Sequence, residues 1–293
     1  MKVLTVDIED WFHILDHEET GTEAEWASFP SRIDAGVTRI LDAFDRHKVK
    51  GTFFILGWIA RTAPDAVAEI ARRGHEIANH SDMHKLVYTM TPQEFETDLL
   101  RANEAIEKAT GIVPTAYRAP GFSVTADCAW AFEIMARNGF RLDCSVFPAS
   151  RSHGGIPHFP LGGPCTLTTP DSQTLRCFPI NLKTIAGRRL VYSGGGYFRL
   201  APRGLLRRWF GNDPYVMTYF HPRDFDPDQP LVPGLSAARR FKSYVGLRGA
   251  LPKLETLISE NEFVTLGAAE AATDWQAVPA VRVTDFATKP THH

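Results

Sequence analysis

Cysteine is scarce in this chain, and the four residues present, Cys128, Cys144, Cys165 and Cys177, show no CxxC spacing. That excludes a disulfide-framed secreted module and a cysteine-rich zinc fold, and the four read as buried thiols. Long apolar runs are missing as well. No stretch approaches the roughly 20 apolar residues of a membrane helix or the shorter apolar core of a signal peptide. The expectation is therefore a cytoplasmic chain without a membrane span. Positive charge is in no surplus either: Lys plus Arg number 32 against 34 for Asp plus Glu. This balance argues against nucleic acid or an anionic membrane as partner and favours a ligand that is small or neutral and bound locally.

What the chain has in quantity is apolar residues, 44% of 293, enough for a barrel-sized core. The runs "KVLTVD", "GTFFILG", "HEIAN", "TAYRAP", "RLDCSVF", "YVMTYF" and "EFVTL" read as short buried strands, rich in β-branched and aromatic residues. Helical signals lie between several of them. Ile33, Val37, Ile40, Leu41 and Phe44 share one face of residues 32–47. "TPQE" at 91–94 is a capping box with proline at the first helical position, followed by Phe95, Leu99, Ala102 and Ile106 on one stripe. Cys128, Phe132 and Met135 repeat the spacing before Asn138-Gly139. Alternating strands and helices imply an α/β fold with a parallel sheet, and one closed or nearly closed barrel suits the length. Residues 149–213, rich in Gly and Pro, read as an excursion of loops and short strands over one face. Residues 236–260 return to helix. Residues 1–270 are expected to form the barrel and 271–293 a loosely held tail, ending in "THH".

Against this frame the polar residues gather at strand ends. Asp7, Glu9 and Asp10 follow "KVLTV"; His80 and His84 follow "HEIAN"; Arg118 ends "TAY"; Asp143 lies in "RLDCSVF"; His221 follows "YVMTYF". In an α/β barrel the C-terminal ends of the strands form the face on which active sites are built. Two histidines four apart are unspecific alone, and an acidic turn after a strand is commonplace. Their convergence is less so. A carboxylate with two imidazoles suits Zn²⁺ or a similar divalent ion and leaves a coordination position open, as a hydrolytic site requires. "GGGYFR" at 194–199 fits either close approach of a sugar, with Tyr197 stacking on its ring, or a turn that needs glycine only for its backbone. His13, His17, His153 and His158 match no required spacing and read as surface or loop residues.

In order, "TVDIED", "NHSDMH", "YRAPGF", "LDCSVFP" and "YFHPRDFD" resemble the five motifs of the NodB-homology polysaccharide deacetylases, carbohydrate esterase family 4, over roughly residues 3–225. The resemblance implies a distorted (β/α) barrel in a single domain and a metal-dependent N-deacetylase acting on an N-acetylated glycan. By that resemblance Asp7 is the general base, His80 and His84 are metal ligands, Arg118 orients the base, His221 is the general acid, Asp143 supports the catalytic groups, and Gly121 supplies an oxyanion-binding N–H. The family's adjacent aspartates are replaced by Asp7-Ile8-Glu9-Asp10, so the third metal ligand is Asp10 or Glu9, with Asp10 slightly preferred. "VDIEDW", "SGGGYFRL" and "HPRDFDPDQP" are more closely similar to a subgroup associated with exopolysaccharide loci, related to an allantoinase-like branch. That branch implies an alternative, hydrolysis of a small cyclic amide or ureide. Arg223 stands where relatives often carry an aromatic and marks a position for substrate choice. Oligomeric state is open.

Overall fold

The β-branched and aromatic runs become short strands in a computed structural model that describes residues 1–185 and 187–287. In chain order they are β1 (Lys2–Val3), β2 (Thr5–Ile8), β3 (Thr52–Ile55), β4 (Glu76–Asn79), β5 (Ala116–Tyr117), β6 (Leu142–Asp143), β7 (Cys165–Thr168), β8 (Thr174–Cys177), β9 (Lys183–Ile185), β10 (Arg188–Leu190), β11 (Val216–Met217) and β12 (Ala280–Arg282). From β2 to β6 the strands lie parallel in sequence order, with Val6 opposite Phe53, Phe53 opposite Ile77 and Tyr117 opposite Asp143. Every residue of β2 and β3 is buried. Burial on both faces explains why these runs show no polar alternation.

Helices cross between the strands. Ile33–Arg46 packs Val37, Ile40, Leu41 and Phe44 inward, and Pro92–Thr110 does the same with Phe95, Leu99, Ala102 and Ile106. The second helix begins on the capping box read from "TPQE": Thr91 Oγ1 accepts from Glu94 N, and the Glu94 carboxylate accepts from Thr91 N at 2.7 Å. It ends on Gly111 in the left-handed region at φ 73°, a conformation glycine adopts without a Cβ penalty.

The first strand segment serves two neighbours. β2 pairs with β3, while β1 pairs with β11 and Val6 bridges Phe220. Thr5 N donates to Thr218 Oγ1 at 2.6 Å, and that hydroxyl donates to Thr5 O at 3.1 Å. Round the other side, among the described residues, no ladder joins β11 to β8. Side chains make the seam there: Asn181 Oδ1 accepts from Met217 N at 2.9 Å, and Tyr215 OH donates to Pro179 O at 2.7 Å. The barrel is thus distorted, a single α/β domain closed on one side by strand pairing and on the other by side chains.

Four stretches differ from expectation. The middle of the chain is not wholly an excursion, because β7 and β8 form an antiparallel hairpin that β8 joins to β6. Residues 271–287, expected as part of a loose tail, are held to the sheet: β12 pairs with β7, and Val281, Val283 and Phe286 are buried. Their apolar side chains complete the core around Phe132 and Phe159. The terminal "THH" lies outside the described residues. The helix expected over 236–260 is two, Ala237–Tyr244 and Leu247–Glu260, broken at Gly246 with φ 73°. "EFVTL" contributes only a bridge from Val264 to Val3. No helix of the described residues is long and apolar enough to cross a membrane.

Candidate metal and catalytic site

β2 and β4 are neighbours of β3, so the residues leaving their C-terminal ends face one another across it. Glu9 Oε1 lies 3.0 Å from His80 Nε2 and 2.9 Å from His84 Nε2, and all three side chains are buried. The loop that carries the histidines is held by helix Pro92–Thr110: Asp98 accepts from Asp82 N at 2.9 Å and from Met83 N at 3.2 Å. His84 itself sits at φ 53°, a left-handed conformation that costs a non-glycine residue about 1 kcal/mol and brings its ring back towards Glu9.

The donor set fits a divalent cation for a reason beyond residue type. His80 Nδ1 is 2.7 Å from Arg118 O, and a carbonyl only accepts, so Nδ1 carries the proton. In the neutral ring Nε2 is then a lone pair facing a carboxylate oxygen. Two acceptors at that distance repel unless a proton or a metal ion lies between them, and an imidazole anchored through its other nitrogen is the usual arrangement of a metal ligand.

Beside this cluster lies Asp7. Its Oδ1 accepts from Arg118 Nη1 at 2.6 Å, and the same nitrogen reaches Thr5 Oγ1 at 2.8 Å. Arg118 is wholly buried, its guanidinium 4.1 Å from the Phe54 ring centroid. From β11's extension, His221 Nε2 comes to 3.9 Å from Asp7 Oδ2 and 3.8 Å from Glu9 Oε1. Its Nδ1 donates to Asp224 Oδ2 at 3.1 Å, and Asp224 also accepts from His221 N at 3.0 Å. Arg199 Nε, 3.1 Å from Asp224 Oδ1, completes the chain. Burial alone would lower the His221 pKa, but Glu9, Asp224 and Asp7 outweigh it and push it up to about 9. Glu9 shows the converse balance. Burial pushes its carboxyl up, while the imidazoles beside it, His84 and His221 foremost, hold it well below the usual carboxylate range.

Asp7, Glu9, His80, His84, Gly121 and His221 line one open cleft of about 260 Å³. One sequence expectation is corrected here, and a second residue is placed behind the cleft. Asp10 is not in the metal cluster: its carboxylate turns away to accept from Ser31 Oγ at 2.5 Å, Arg32 N at 3.0 Å and Trp11 N at 2.8 Å, and so ties down the chain that enters helix Ile33–Arg46. Asp143 does not line the cleft. Wholly buried behind it, its carboxylate accepts from Ser145 N at 3.0 Å and from Cys177 Sγ at 3.3 Å, and burial pushes its pKa up to about 6 despite those bonds.

Gly121 has φ 60°, the left-handed region that favours glycine; a Cβ there would also meet Leu15 Cδ1 at 2.8 Å, the movable end of a side chain. Tyr197 is 55% exposed and lies outside the cleft lining, to which its neighbours Gly195 and Arg199 belong. The preceding Gly194 is needed for the backbone: a Cβ would lie 2.3 Å from Tyr219 O. His13, expected at the surface, is buried between Trp26 and Trp58, with ring centroids 4.5 and 5.3 Å away. Its Nδ1 accepts from Asp10 N at 2.9 Å, and burial foremost holds it neutral. Sequence reading passed over Asp224 and Arg199; the signal for Asp224 was an acid three residues after His221-Pro222, the spacing of a capping box.

Residues 25–141 match the family described as polysaccharide deacetylase, and residues 144–270 match a domain of unknown function, DUF3473. The first match contains His80, His84, Arg118 and Gly121; Asp7, Glu9 and His221 lie outside it. A peptidoglycan-N-acetylglucosamine deacetylase of Bacillus cereus is 33% identical over 96 residues, 32% of this chain and 35% of that protein. A chitooligosaccharide deacetylase of Rhizobium leguminosarum is 30% identical over 122 residues, 40% of this chain and 54% of that one. The chain thus spans about half or less of these curated relatives. A solved structure from Mycobacterium smegmatis, described as a polysaccharide deacetylase, superposes with a TM-score of 0.64 at 19% identity, covering 99% of this chain and 94% of its own. At that identity the likeness establishes the barrel fold.

Proposed function

With a polysaccharide deacetylase segment at residues 25–141 as premise, we propose that this protein is a metal-dependent N-deacetylase that releases acetate from an N-acetylated glycan. The observation that carries the proposal is the meeting of a carboxylate–imidazole–imidazole set with a second carboxylate and a further histidine, Asp7 and His221, within 3.9 Å of one another. A binding site has no use for a base and an acid placed together; hydrolysis of an amide needs both.

Glu9, His80 and His84 would hold the ion, and the role expected of Asp10 passes to Glu9. A divalent cation there, Zn²⁺ by its ligand chemistry, would supply Lewis acidity towards the amide carbonyl and the attacking water. Asp7 is positioned by Arg118 through Oδ1, which leaves Oδ2 to take the proton of the water as it attacks. His221 keeps Nδ1 on Asp224 and presents Nε2–H to the cleft. That proton goes to the amide nitrogen as the C–N bond breaks, since expulsion of an amide anion is prohibitive near neutral pH. Acetate and a free amino sugar leave. Gly121 lines the cleft where the family resemblance puts an oxyanion donor, and Tyr197, exposed nearby, is available to a sugar ring outside it.

We place the activity on an exopolysaccharide or its lipid-linked oligosaccharide precursor, with the whole barrel, β12 included, as the catalytic unit. The test is acetate release from a panel of N-acetylated glycans by metal-stripped and Zn²⁺-restored protein. Release that depends on the metal and disappears in Asp7→Asn is expected. Ring opening of a cyclic ureide without acetate would replace this reading with the allantoinase-like one.

A further inference from the structure

The even charge balance of the whole chain hides a local excess at the cleft. Five cationic side chains line it, Arg151, Arg199, Arg223, Arg239 and Lys242, against three carboxylates, Asp7, Glu9 and Asp224. Each carboxylate is engaged: Asp7 by Arg118, Glu9 by the two imidazoles, Asp224 by His221 and Arg199. Arg199 is itself held internally, donating to Lys242 O, Ser243 O and Val245 O. Arg239 donates to Leu15 O and Asp16 O. Only Nε of Arg199 lacks a hydrogen bond, and it lies 3.1 Å from Asp224 Oδ1; in Arg151 and Arg223 it is a terminal amino group that is left over. Nη1 of Arg151 and Nη2 of Arg223 are buried without any hydrogen-bond partner among the described residues.

Arg151 is the more telling of the two. Its guanidinium carbon lies 4.6 Å from the Phe147 ring centroid, 5.0 Å from Phe122 and 5.8 Å from Tyr219. Aromatic faces support a cation but do not accept its N–H bonds in plane, and a guanidinium stacked on rings keeps its fork for a carboxylate or phosphate. Phe122 and Tyr219 line the same cleft as the metal set. Arg223, in the position marked by the sequence as a departure, shares its surroundings with Arg199, Asp224 and Glu9. A neutral glycan offers hydroxyl oxygens to these N–H groups but no charge to balance the two half-buried cations, and hydrogen bonds to a charged partner are the stronger ones.

We propose that the glycan bound here is acidic: a carboxylate or phosphate, on the acetamido sugar or a neighbour, docks on Arg151, with Arg223 and Lys242 adding to the attraction. The inference rests on the N-deacetylase reading and names its substrate class. Whole-chain charge favoured a ligand that is small or neutral; of these the proposal keeps local binding and replaces neutrality with a negative group.

The test uses Zn²⁺-loaded Asp7→Asn protein and calorimetric binding of three N-acetylated oligosaccharides of equal length: one neutral, one bearing a uronate carboxylate, one bearing a terminal phosphate. At low salt, one anionic ligand should bind about tenfold tighter than the neutral one, and the advantage should shrink at high salt. Whichever anion is preferred identifies its source. Adding Arg151→Gln should remove most of the preference, Arg223→Gln a smaller part, and Arg151→Lys, which keeps charge but not the fork, should retain some of it. Equal affinity for all three ligands overturns the inference, as does a preference that survives both Gln substitutions. If Arg151→Gln fails to fold by circular dichroism, Arg151→Lys and the salt dependence decide. Acetate release by the wild-type protein separates the two readings. Selective binding with no release from any glycan sinks the deacetylase assignment alone, whereas equal release from all three sinks the acidic preference alone.

Discussion

Up to Asp143 the chain builds regular βα units, and beyond it an antiparallel hairpin, side-chain seams and broken helices; both parts meet at one cleft. The regular part supplies Asp7, Glu9, His80, His84 and Arg118, each at or just past a strand end and each buried. The irregular part supplies His221, Asp224, Arg199 and Arg151, from a strand extension, a 3-10 turn, a short helix and a loop. Rigid parallel strands fix an ion and a base to within tenths of an ångström, which is what coordination demands. Groups that meet the variable part of a ligand sit on loops and short elements that tolerate change. The two family matches divide the chain near the same place.

The largest effect that tests this division lies in the regular part. Glu9→Gln should abolish stoichiometric metal binding, lowering affinity by more than the 10–100-fold typical of an outer partner, while Asp10→Asn keeps the ion. Metal content after dialysis reads this directly. An ion retained by Glu9→Gln and lost by Asp10→Asn would return the third ligand to Asp10.

In the irregular part, His221→Ala should keep the metal but lose about 10²–10⁴-fold in kcat, the range of a general acid. The state of the imidazole gives a second reading. With its pKa raised to about 9 in the folded protein against about 6.5 unfolded, His221 stabilises the fold fully below the unfolded value. That contribution is lost as pH rises through the folded value. Asp224→Asn removes one of the raising charges, so the window should narrow from its alkaline side. Nitrogen-detected NMR titration of His221 in metal-free protein checks this; a midpoint near the ordinary histidine value in the wild type would remove the basis for a protonated acid at neutral pH.

Legibility followed the same division. Buried parallel strands leave unbroken apolar runs, and a ligand set at their ends stands next to them in sequence, so β1 to β6, the histidines and Arg118 were readable. Glu9 and Asp10 were not separable, because both are acids in one turn and only the exit angle of the chain decides which faces inward. Asp224 acts through His221, and Arg151 gains meaning only from three rings distant in sequence. β12 is too short and too polar at its flanks to stand out from a terminus. The smaller consequence of the Asp10 correction is a matter of stability: Asp10→Ala removes the hydrogen bonds to Ser31 and Arg32 that hold the entry to helix Ile33–Arg46 and should lower stability by about 1 kcal/mol in chemical unfolding.

Asp143 makes the finest test, because its strand belongs to the regular part while its carboxyl points out of the cleft. A catalytic carboxyl replaced by its amide would lose orders of magnitude in rate. The carboxyl held by Ser145 and Cys177 should instead leave kcat of Asp143→Asn within about threefold, less than ~0.7 kcal/mol of barrier. Its trace is expected in stability. The folded pKa, about 6, exceeds the unfolded value near 3.9, so the folded state binds this proton more tightly. Its contribution is full at the acidic end and declines as pH rises through about 6. Asn does not titrate, so thermal melts should show the wild type losing ground to Asp143→Asn across that interval. A parallel pH dependence of the two proteins together with a rate loss of a hundredfold would put Asp143 back into the chemistry.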